Sequence, residues 1–284
     1  MAIDLHTHSS VSDGTESPSE VMRAAARAGL CVMALTDHDQ TGGWAEAATV
    51  VAQTGVGLVR GIEISTSRHG RSIHLLGYLF DDSDADLNAE LSRARESRLT
   101  RMDRMVERMA ADGIPIDVTE VHAQLEPGAT LGRPHLADAL VAKGVVPDRD
   151  AAFRDLLHEE SRYYVGHYAV DPARAVRLVV AAGGVAVIAH PFTRARGRAT
   201  DPALVEELAR AGMTGIEVHH RDHGPRATSL ALTLARDLGL LVTGSSDYHG
   251  AGKPNRLGEH TTDPAVLAEI EERSRLPVLR RAPV

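Results

Sequence analysis

Lysine is almost missing from this chain. Only Lys143 and Lys253 occur against a Lys+Arg total of 31, so nearly all positive charge is carried by arginine. Cysteine is scarcer still: Cys31 stands alone, which excludes an internal disulfide, and its apolar surroundings suggest a core position. Aromatic residues make up 3% of the sequence, so a core must be built from alanine, valine, leucine and isoleucine. No apolar run reaches transmembrane length and no signal peptide precedes the motifs that start at His6, so a cytoplasmic protein without membrane association is expected. An excess of positive charge is lacking too. The formal net charge is −8 and the pI about 6.0, which argues against a broad footprint for long nucleic acid but allows a small anion. The glycine-rich phosphate fingerprint of an open dinucleotide-binding sheet is also absent.

What is present is an alternation of short apolar runs with helical patterns. At 284 residues the chain can hold one large domain, or one domain carrying an insertion. Ala2 to Leu5 reads as a strand. Ser17-Pro18-Ser19-Glu20 has the form of a capping box, with proline at the first helical position, and the helix it opens stops at Gly29. Further strands are expected over Leu30–Thr36, Gly57–Ile64, Ser72–Leu79, Val185–Ala189, Gly215–Val218 and Leu240–Thr243, with helices between most of them. The alternation breaks at Asp81-Asp82-Ser83-Asp84. From there to about Tyr168 the pattern is helical only, led by a long helix over Leu87–Ala111. This predicts a barrel formed by residues 1–80 and 170–284, with 81–169 as a helical insertion that overhangs the active face. About seven strands alternating with helices indicate a parallel α/β barrel, whose chemistry collects at the C-terminal ends of the strands.

Those strand ends are where the metal-binding residue types stand. His6 and His8, spaced i, i+2 on an extended segment, point to the same side. Asp13 follows within reach of a turn closed by Gly14. His38, Glu63, His190, Asp247 and His249 sit at the ends of later strands, while His74 falls inside its strand, an exception that a boundary error of two residues would resolve. Six of the fifteen histidines and three carboxylates thus converge on one rim. A donor set of histidine and carboxylate without thiolate suits zinc, manganese or iron.

The motifs Asp4-Leu5-His6-Thr7-His8, Leu35-Thr36-Asp37-His38-Asp39, Gly61-Ile62-Glu63-Ile64, His74-Leu75-Leu76-Gly77-Tyr78, Ala189-His190-Pro191 and Gly244-Ser245-Ser246-Asp247-Tyr248-His249 resemble, in order, those of the polymerase and histidinol phosphatase (PHP) superfamily. Within it, the chain is most similar to stand-alone phosphoesterases acting on nucleotides and short RNA. The resemblance implies a distorted seven-stranded TIM-like barrel with a trinuclear metal centre. It places a first ion on His6, His8, Glu63 and Asp247, and a second on Asp13, His38 and His249. A third would lie on His74 and His190, with Glu63 as the bridge. Some relatives have histidine at the position of Asp13, and a carboxylate there favours manganese, with iron or zinc as alternatives. Three divalent ions against three carboxylates leave an excess of about three positive charges, which attracts phosphate and acidifies a bridging water. A metal-bridging hydroxide would then be the nucleophile, with Glu63, Asp247 and His249 carrying the chemistry.

Gly132-Arg133-Pro134-His135 stands at a helix start, where free N–H groups, the Arg133 fork and His135 can meet an anion. An ordinary helix start with a surface arginine fits these residues equally well. The resemblance favours phosphate binding, because relatives carry a similar Gly-Arg-Pro-His in the insertion over their site. The segment Glu217-Val218-His219-His220-Arg221-Asp222-His223 departs from relatives, which often have tyrosine and proline at the positions of His219 and Arg221. His220 and His223 in this loop are further expected substrate contacts. The expected reaction is hydrolysis of a phosphoester in a nucleoside 3',5'-bisphosphate or short 5'-phosphorylated RNA. A histidinol-phosphate-type or other small-molecule phosphatase is the alternative. A metal-dependent amidohydrolase fits less well, because neither lysine is placed at a strand end to form a carboxylated bridge. Oligomeric state is left open.

Overall fold

The computed structural model describes residues 1–125, 129–193 and 199–282. Seven strands form one sheet in chain order: β1 (Ala2–Asp4), β2 (Leu30–Leu35), β3 (Gly57–Arg68), β4 (Arg71–Tyr78), β5 (Val185–Ile188), β6 (Gly215–His219) and β7 (Leu241–Gly244). An isolated parallel bridge between Thr7 and Tyr248 joins the chain just after β1 to the chain just after β7.

The sheet is not wholly parallel, as the alternation had suggested. β4 runs antiparallel to both β3 and β5. The cause is local. Arg68 pairs with Arg71, leaving His69 and Gly70 as a two-residue turn with φ of 53° and 75°. Such a primed turn makes a tight hairpin, whereas a parallel return needs a crossover of a dozen residues or more. The consequence reaches the site. His74 lies inside β4, paired with Ser65, and strand reversal, not a boundary error, brings it to the functional rim.

Helices α1 (Pro18–Arg27), α2 (Trp44–Thr49) and α3 (Val51–Thr54) precede β3; the last two are separated at Val50, although the sequence pattern predicts one helix through Trp44 to Gln53. The Ser17–Glu20 capping box is formed. Between β4 and β5 lie α4 (Ala85–Ala111), α5 (Val118–His122), α6 (Arg133–Ala142), α7 (Arg149–Ala152) and α8 (Pro172–Ala181). The sequence pattern predicts a short helix around Arg149–His158; it is α-helical only in α7 and continues as a π turn over Phe153–Leu157. Then follow α9 (Pro202–Arg210), α10 (Pro225–Leu238) and α11 (Pro264–Glu272). Asp171-Pro172, Asp201-Pro202 and Asp263-Pro264 each open a helix. The aspartate accepts from backbone N–H groups of the first turn while proline supplies the fixed φ.

Alternate residues of the strands feed two different cores. Met33, Leu35, Leu58, Ala186 and Ile188 pack with α1 and α8–α10, whereas Val32, Ala34, Val59, Val185 and Val187 cluster with Leu267, Ile270 and Val278. A third cluster is built between residues 102 and 165. Helix α4 spans the two regions: Leu87 and Leu91 join the sheet's core, Met102, Met105 and Met109 the other. Cys31 is exposed rather than core: it stands near the start of β2, while Met33 and Leu35 further along on its own face are buried. No helix among the described residues is long and apolar enough to cross a membrane.

Candidate metal centre

Backbone pairing continues past the strand ends and positions the side chains. Thr36 N–H donates to Thr7 O at 2.9 Å and His8 N–H to Tyr248 O at 2.8 Å, so His6 and His8 stay extended beside their neighbours. The following loop folds back tightly: a Cβ on Gly14 would lie 2.6 Å from His8 O, and this close approach brings Asp13 to His8. Asp37 fastens the same loop to the end of β2, accepting from Ser9 N (2.8 Å), Ser9 Oγ (2.7 Å) and Ser12 Oγ (2.7 Å). Asp39, at φ 57°, donates its N–H to Glu63 O at 3.0 Å and accepts from Ser65 N at 2.8 Å, holding His38 beside β3.

At the centre, one carboxylate meets five imidazoles. Glu63 Oε2 lies 3.2 Å from His6 Nε2, 3.1 Å from His8 Nε2 and 3.2 Å from His38 Nδ1. Its Oε1 lies 2.5 Å from His74 Nδ1 and 3.2 Å from His190 Nε2. Asp247 Oδ1 stands 3.4 Å from His6 Nε2 and 3.5 Å from His8 Nε2, while Asp13 Oδ1 is 3.2 Å from His249 Nε2. Four sets of donor atoms lie within 4.8 Å of one another: His8, Asp13, His38 and His249; His6, His8, Glu63 and Asp247; His6, His190 and Glu217; His38, Glu63 and His74. All nine residues singled out in the sequence are included. His74 and His190 fall in different sets, linked through Glu63. His190 and Asp247 adopt left-handed φ values of 29° and 54°, conformations unfavourable for these residue types and typical of functional sites.

The donor set fits divalent metal ions. His249 Nε2 and Asp247 Oδ1 are buried without a hydrogen-bond partner, and His38 Nδ1, though near Glu63, is not aligned to bond it. Unmet buried donors and acceptors facing one point are costly unless something satisfies them. Electrostatics agree. Burial alone would raise the Glu63 carboxyl, yet His38, His74 and His6 hold it well below the usual range. Asp13 and Asp247 are likewise depressed against burial, chiefly by His249 for the first and Lys253 for the second. Burial works against protonation of His8, but Asp247 and Glu63 push it up to about 9.

Glu217 was not singled out as a site residue, although a carboxylate between Ile216 and Val218 in an apolar strand is a signal in itself. It is fully buried; Oε1 lies 3.1 Å from His6 Nδ1, and Oε2 accepts from His190 N at 2.6 Å. Lys253 was also overlooked. It reaches back from beyond β7 to place Nζ 2.9 Å from Asp247 Oδ2, as a counter-ion rather than a bridge between metals.

Above the cluster opens a cleft of about 750 Å³, walled by Asp13, His38 and His74 below and by Arg98, Arg101, Arg133 and His167 from the segment between β4 and β5. Arg133 Nη1 donates to Leu157 O at 2.8 Å, and its guanidinium lies 5.3 Å from the Tyr164 ring centre. His135 is buried at the start of α6, Nδ1 accepting from Gly132 N at 3.1 Å. His220 sits behind Asp247, Nε2 3.7 Å from Oδ2, with Nδ1 accepting from Asp222 N. His223 accepts from Phe192 N at 3.2 Å and donates to Val218 O at 2.9 Å. Of these four, Arg133 is the one among the residues lining the cleft.

The PHP domain model matches residues 4–91, which carry four of the six motifs. Over 282 residues, 99% of either chain, the sequence is 37% identical to the 3',5'-nucleoside bisphosphate phosphatase of Chromobacterium violaceum. The chain belongs to the PHP superfamily. Other PHP-type relatives are the phosphoribosyl 1,2-cyclic phosphate 1,2-diphosphodiesterase of Eggerthella lenta (34% identical; 88% of this chain, 95% of the relative) and a 5'-3' exoribonuclease of Haemophilus influenzae (31%; 87% and 89%). A solved structure from Bifidobacterium adolescentis, assigned to the metal-dependent phosphoesterases, superposes with a TM-score of 0.93 at 39% identity, covering 96% of each chain.

Proposed function

We propose that this PHP protein is a metal-dependent phosphoesterase that hydrolyses a small nucleotide, with a nucleoside 3',5'-bisphosphate favoured over short 5'-phosphorylated RNA. The observation that carries the reading is Glu63 in contact with five imidazoles, two of which, His38 and His74, line an arginine-walled cleft. The full-length likeness to a bisphosphate phosphatase supports the choice of substrate.

Three divalent ions are proposed, with manganese favoured. His6, His8, Glu63 and Asp247 would hold one, and Asp13, His38 and His249 a second. His74 and His190 with Glu63 would hold the third. When bound, the ions supply Lewis acidity toward a phosphoryl oxygen and lower the pKa of water. The chain's own part is to position and to compensate. Glu63 keeps five imidazoles turned inward, Asp247 is balanced by Lys253 on its second oxygen, and Arg133 orients a phosphate from the insertion side. Asp222 N donates to Nδ1 of His220, which leaves the ring proton on Nε2, directed at Asp247. His135, His220 and His223 act in this reading by fixing the helix start, Asp247 and the loop after β6. The Thr7–Tyr248 bridge is taken to close the sheet into the barrel, and residues 81–169 form its insertion.

The experiment is phosphate release with manganese, comparing 3',5'-bisphosphates, mononucleotides, di- to pentaribonucleotides and histidinol phosphate. The bisphosphates should give the highest kcat/KM. Preferred turnover of histidinol phosphate, or no release from any nucleotide, would contradict the proposal.

A further inference from the structure

Basic residues number 31 in this chain and all but two are arginine, yet the one that touches the cluster is Lys253. Its place is set by a tight reversal after the ligand-bearing strand end. Residues Gly250–Gly252 form a single 3-10 turn, entered at a Gly250 φ of 64° that a glycine adopts without strain. Thr15 Oγ1 accepts from Ala251 N at 2.8 Å, and Gly252 N donates to His249 O at 3.2 Å. Beyond the turn, Asn255 donates Nδ2–H to Ser246 O at 2.6 Å and ties the returning chain to the residue before Asp247. Lys253 is thereby folded back over the carboxylate six positions earlier.

The two oxygens of Asp247 are divided between different partners. Oδ1 faces His6 and His8 at 3.4 and 3.5 Å, whereas Oδ2 takes the Lys253 ammonium at 2.9 Å. A guanidinium there would tend to engage both oxygens with its planar fork. An ammonium needs one and leaves the other to the cluster. It also carries three N–H donors, of which Asp247 uses one. The Lys253 side chain is 33% exposed and lines the same cleft as Asp13, His38 and His74. Among the described residues it is the one lysine or arginine of the cleft that pairs with a carboxylate of the cluster. Arg98 is held instead by Asp39 and Ser65, Arg101 by His167, and Arg133 by Leu157 O. The imidazoles around Glu63 are turned toward carboxylates, so the spare donors at the cluster's edge are those of Lys253.

Hydrolysis of a nucleotide ester needs such a donor at one atom. As phosphorus parts from a ribose oxygen, negative charge grows on that oxygen, and an alcohol is a poor leaving group. A fixed donor aimed at growing charge stabilises the transition state more than the ground state. We propose that Lys253 is a catalytic residue: one N–H of its ammonium holds the ester oxygen that leaves phosphorus, while Asp247 fixes the ammonium from the other side. The bond from phosphorus to the nucleoside oxygen breaks as a bond to the oxygen of water forms. One proton of that water ends on the leaving oxygen and the other stays on the phosphate, so ester and water give alcohol and inorganic phosphate. The inference rests on the phosphoesterase reading and deepens it by naming the group that serves the departing nucleoside.

The test is the leaving-group dependence of kcat/KM in the manganese-loaded wild type and in Lys253→Met, with rates expressed per metal-loaded chain from metal analysis of the same samples. The probes are adenosine 3',5'-bisphosphate, which releases an alcohol, and a series of substituted phenyl phosphates ending in 4-nitrophenyl phosphate, whose phenolate departs unaided. Lys253→Met should lose about 100-fold on the bisphosphate, chiefly in kcat, and less than about fivefold on 4-nitrophenyl phosphate. Across the phenyl series, log kcat/KM should fall more steeply with leaving-group pKa in the variant than in the wild type. Equal losses on all substrates, with parallel slopes, would mean that Lys253 acts only as the counter-ion of Asp247, and they overturn the inference. If Lys253→Met does not fold, Lys253→Ala is read by the same comparison. Should the wild type cleave phenyl phosphates but not the bisphosphate, the nucleotide reading fails and the slopes alone decide on Lys253. Should it cleave neither, the phosphoesterase reading fails and the inference falls with it.

Discussion

Glu217 and His6 meet side chain to side chain in the interior, with Oε1 3.1 Å from Nδ1 and neither residue exposed to solvent. The carboxylate fixes the ring so that Nε2 faces Glu63 and His8 at 3.2 and 3.1 Å. This is the arrangement by which a second residue orients a metal-binding imidazole and raises its basicity. Glu217→Ala should therefore weaken metal affinity about 10- to 100-fold, with Glu217→Gln losing less because its amide oxygen can still accept. Competition with a chelating indicator measures this. Unchanged affinity in the alanine variant would remove Glu217 from the site.

Glu63 should matter most among the proposed ligands. Glu63→Gln preserves volume but removes the charge shared by five histidines, so turnover should fall by orders of magnitude and metal content should fall with it. His249→Ala, which removes one donor from one set, should also be severe while retaining more metal. Near-normal turnover with full metal content in Glu63→Gln would show that the bridging role is wrong.

The Arg98–Asp39 pair joins the long helix to the loop that carries His38. Both residues are buried, and removing one leaves an uncompensated charge, so Arg98→Met should cost about 3–5 kcal/mol of stability. Adding Asp39→Asn should return part of that loss. Urea unfolding of the two single variants and the double variant checks it, and strictly additive losses would mean that the pair is not coupled.

Metal loading should release protons. In the metal-free protein His8 is raised from its ordinary 6.5 to about 9, burial being outweighed by Asp247 and Glu63, so at pH 7 it holds a proton that a metal ligand must give up. Metal affinity should then rise with pH up to about 9. The metal-free fold shows the opposite sign: the contribution of His8 is complete below about 6.5 and is lost as pH climbs through 9. Titration calorimetry in buffers of different ionisation enthalpy counts the protons, and no buffer dependence at pH 7 would contradict the assignment.

The strand-end histidines were legible because i, i+2 spacing and strand termini are properties of the chain itself. His74 was legible as a residue but not as geometry, since only the His69-Gly70 turn reverses β4 and carries it to the rim. Cys31 stands outside the core although both faces of β2 are covered from Val32 onward, because an apolar run does not show where along a strand the covering begins. Glu217 opens a segment in which only the histidines drew a role and Lys253 lies outside the quoted motifs; they reach His6 and Asp247 only through sheet order and the fold of the segment after β7. Arg101 looked like one of many surface arginines on a charged helix. Its burial depends on residues 130–167 folding over it, contacts between positions far apart in sequence.

The central claim is that Glu63 organises a multinuclear metal centre on which phosphoester hydrolysis depends. Elemental analysis of protein purified without chelator, paired with its rate on adenosine 3',5'-bisphosphate, tests it most directly. More than two equivalents of divalent metal per chain should be found, and the rate should fall in step as metal is withdrawn and return when manganese is restored. An active preparation holding one equivalent or none would contradict it.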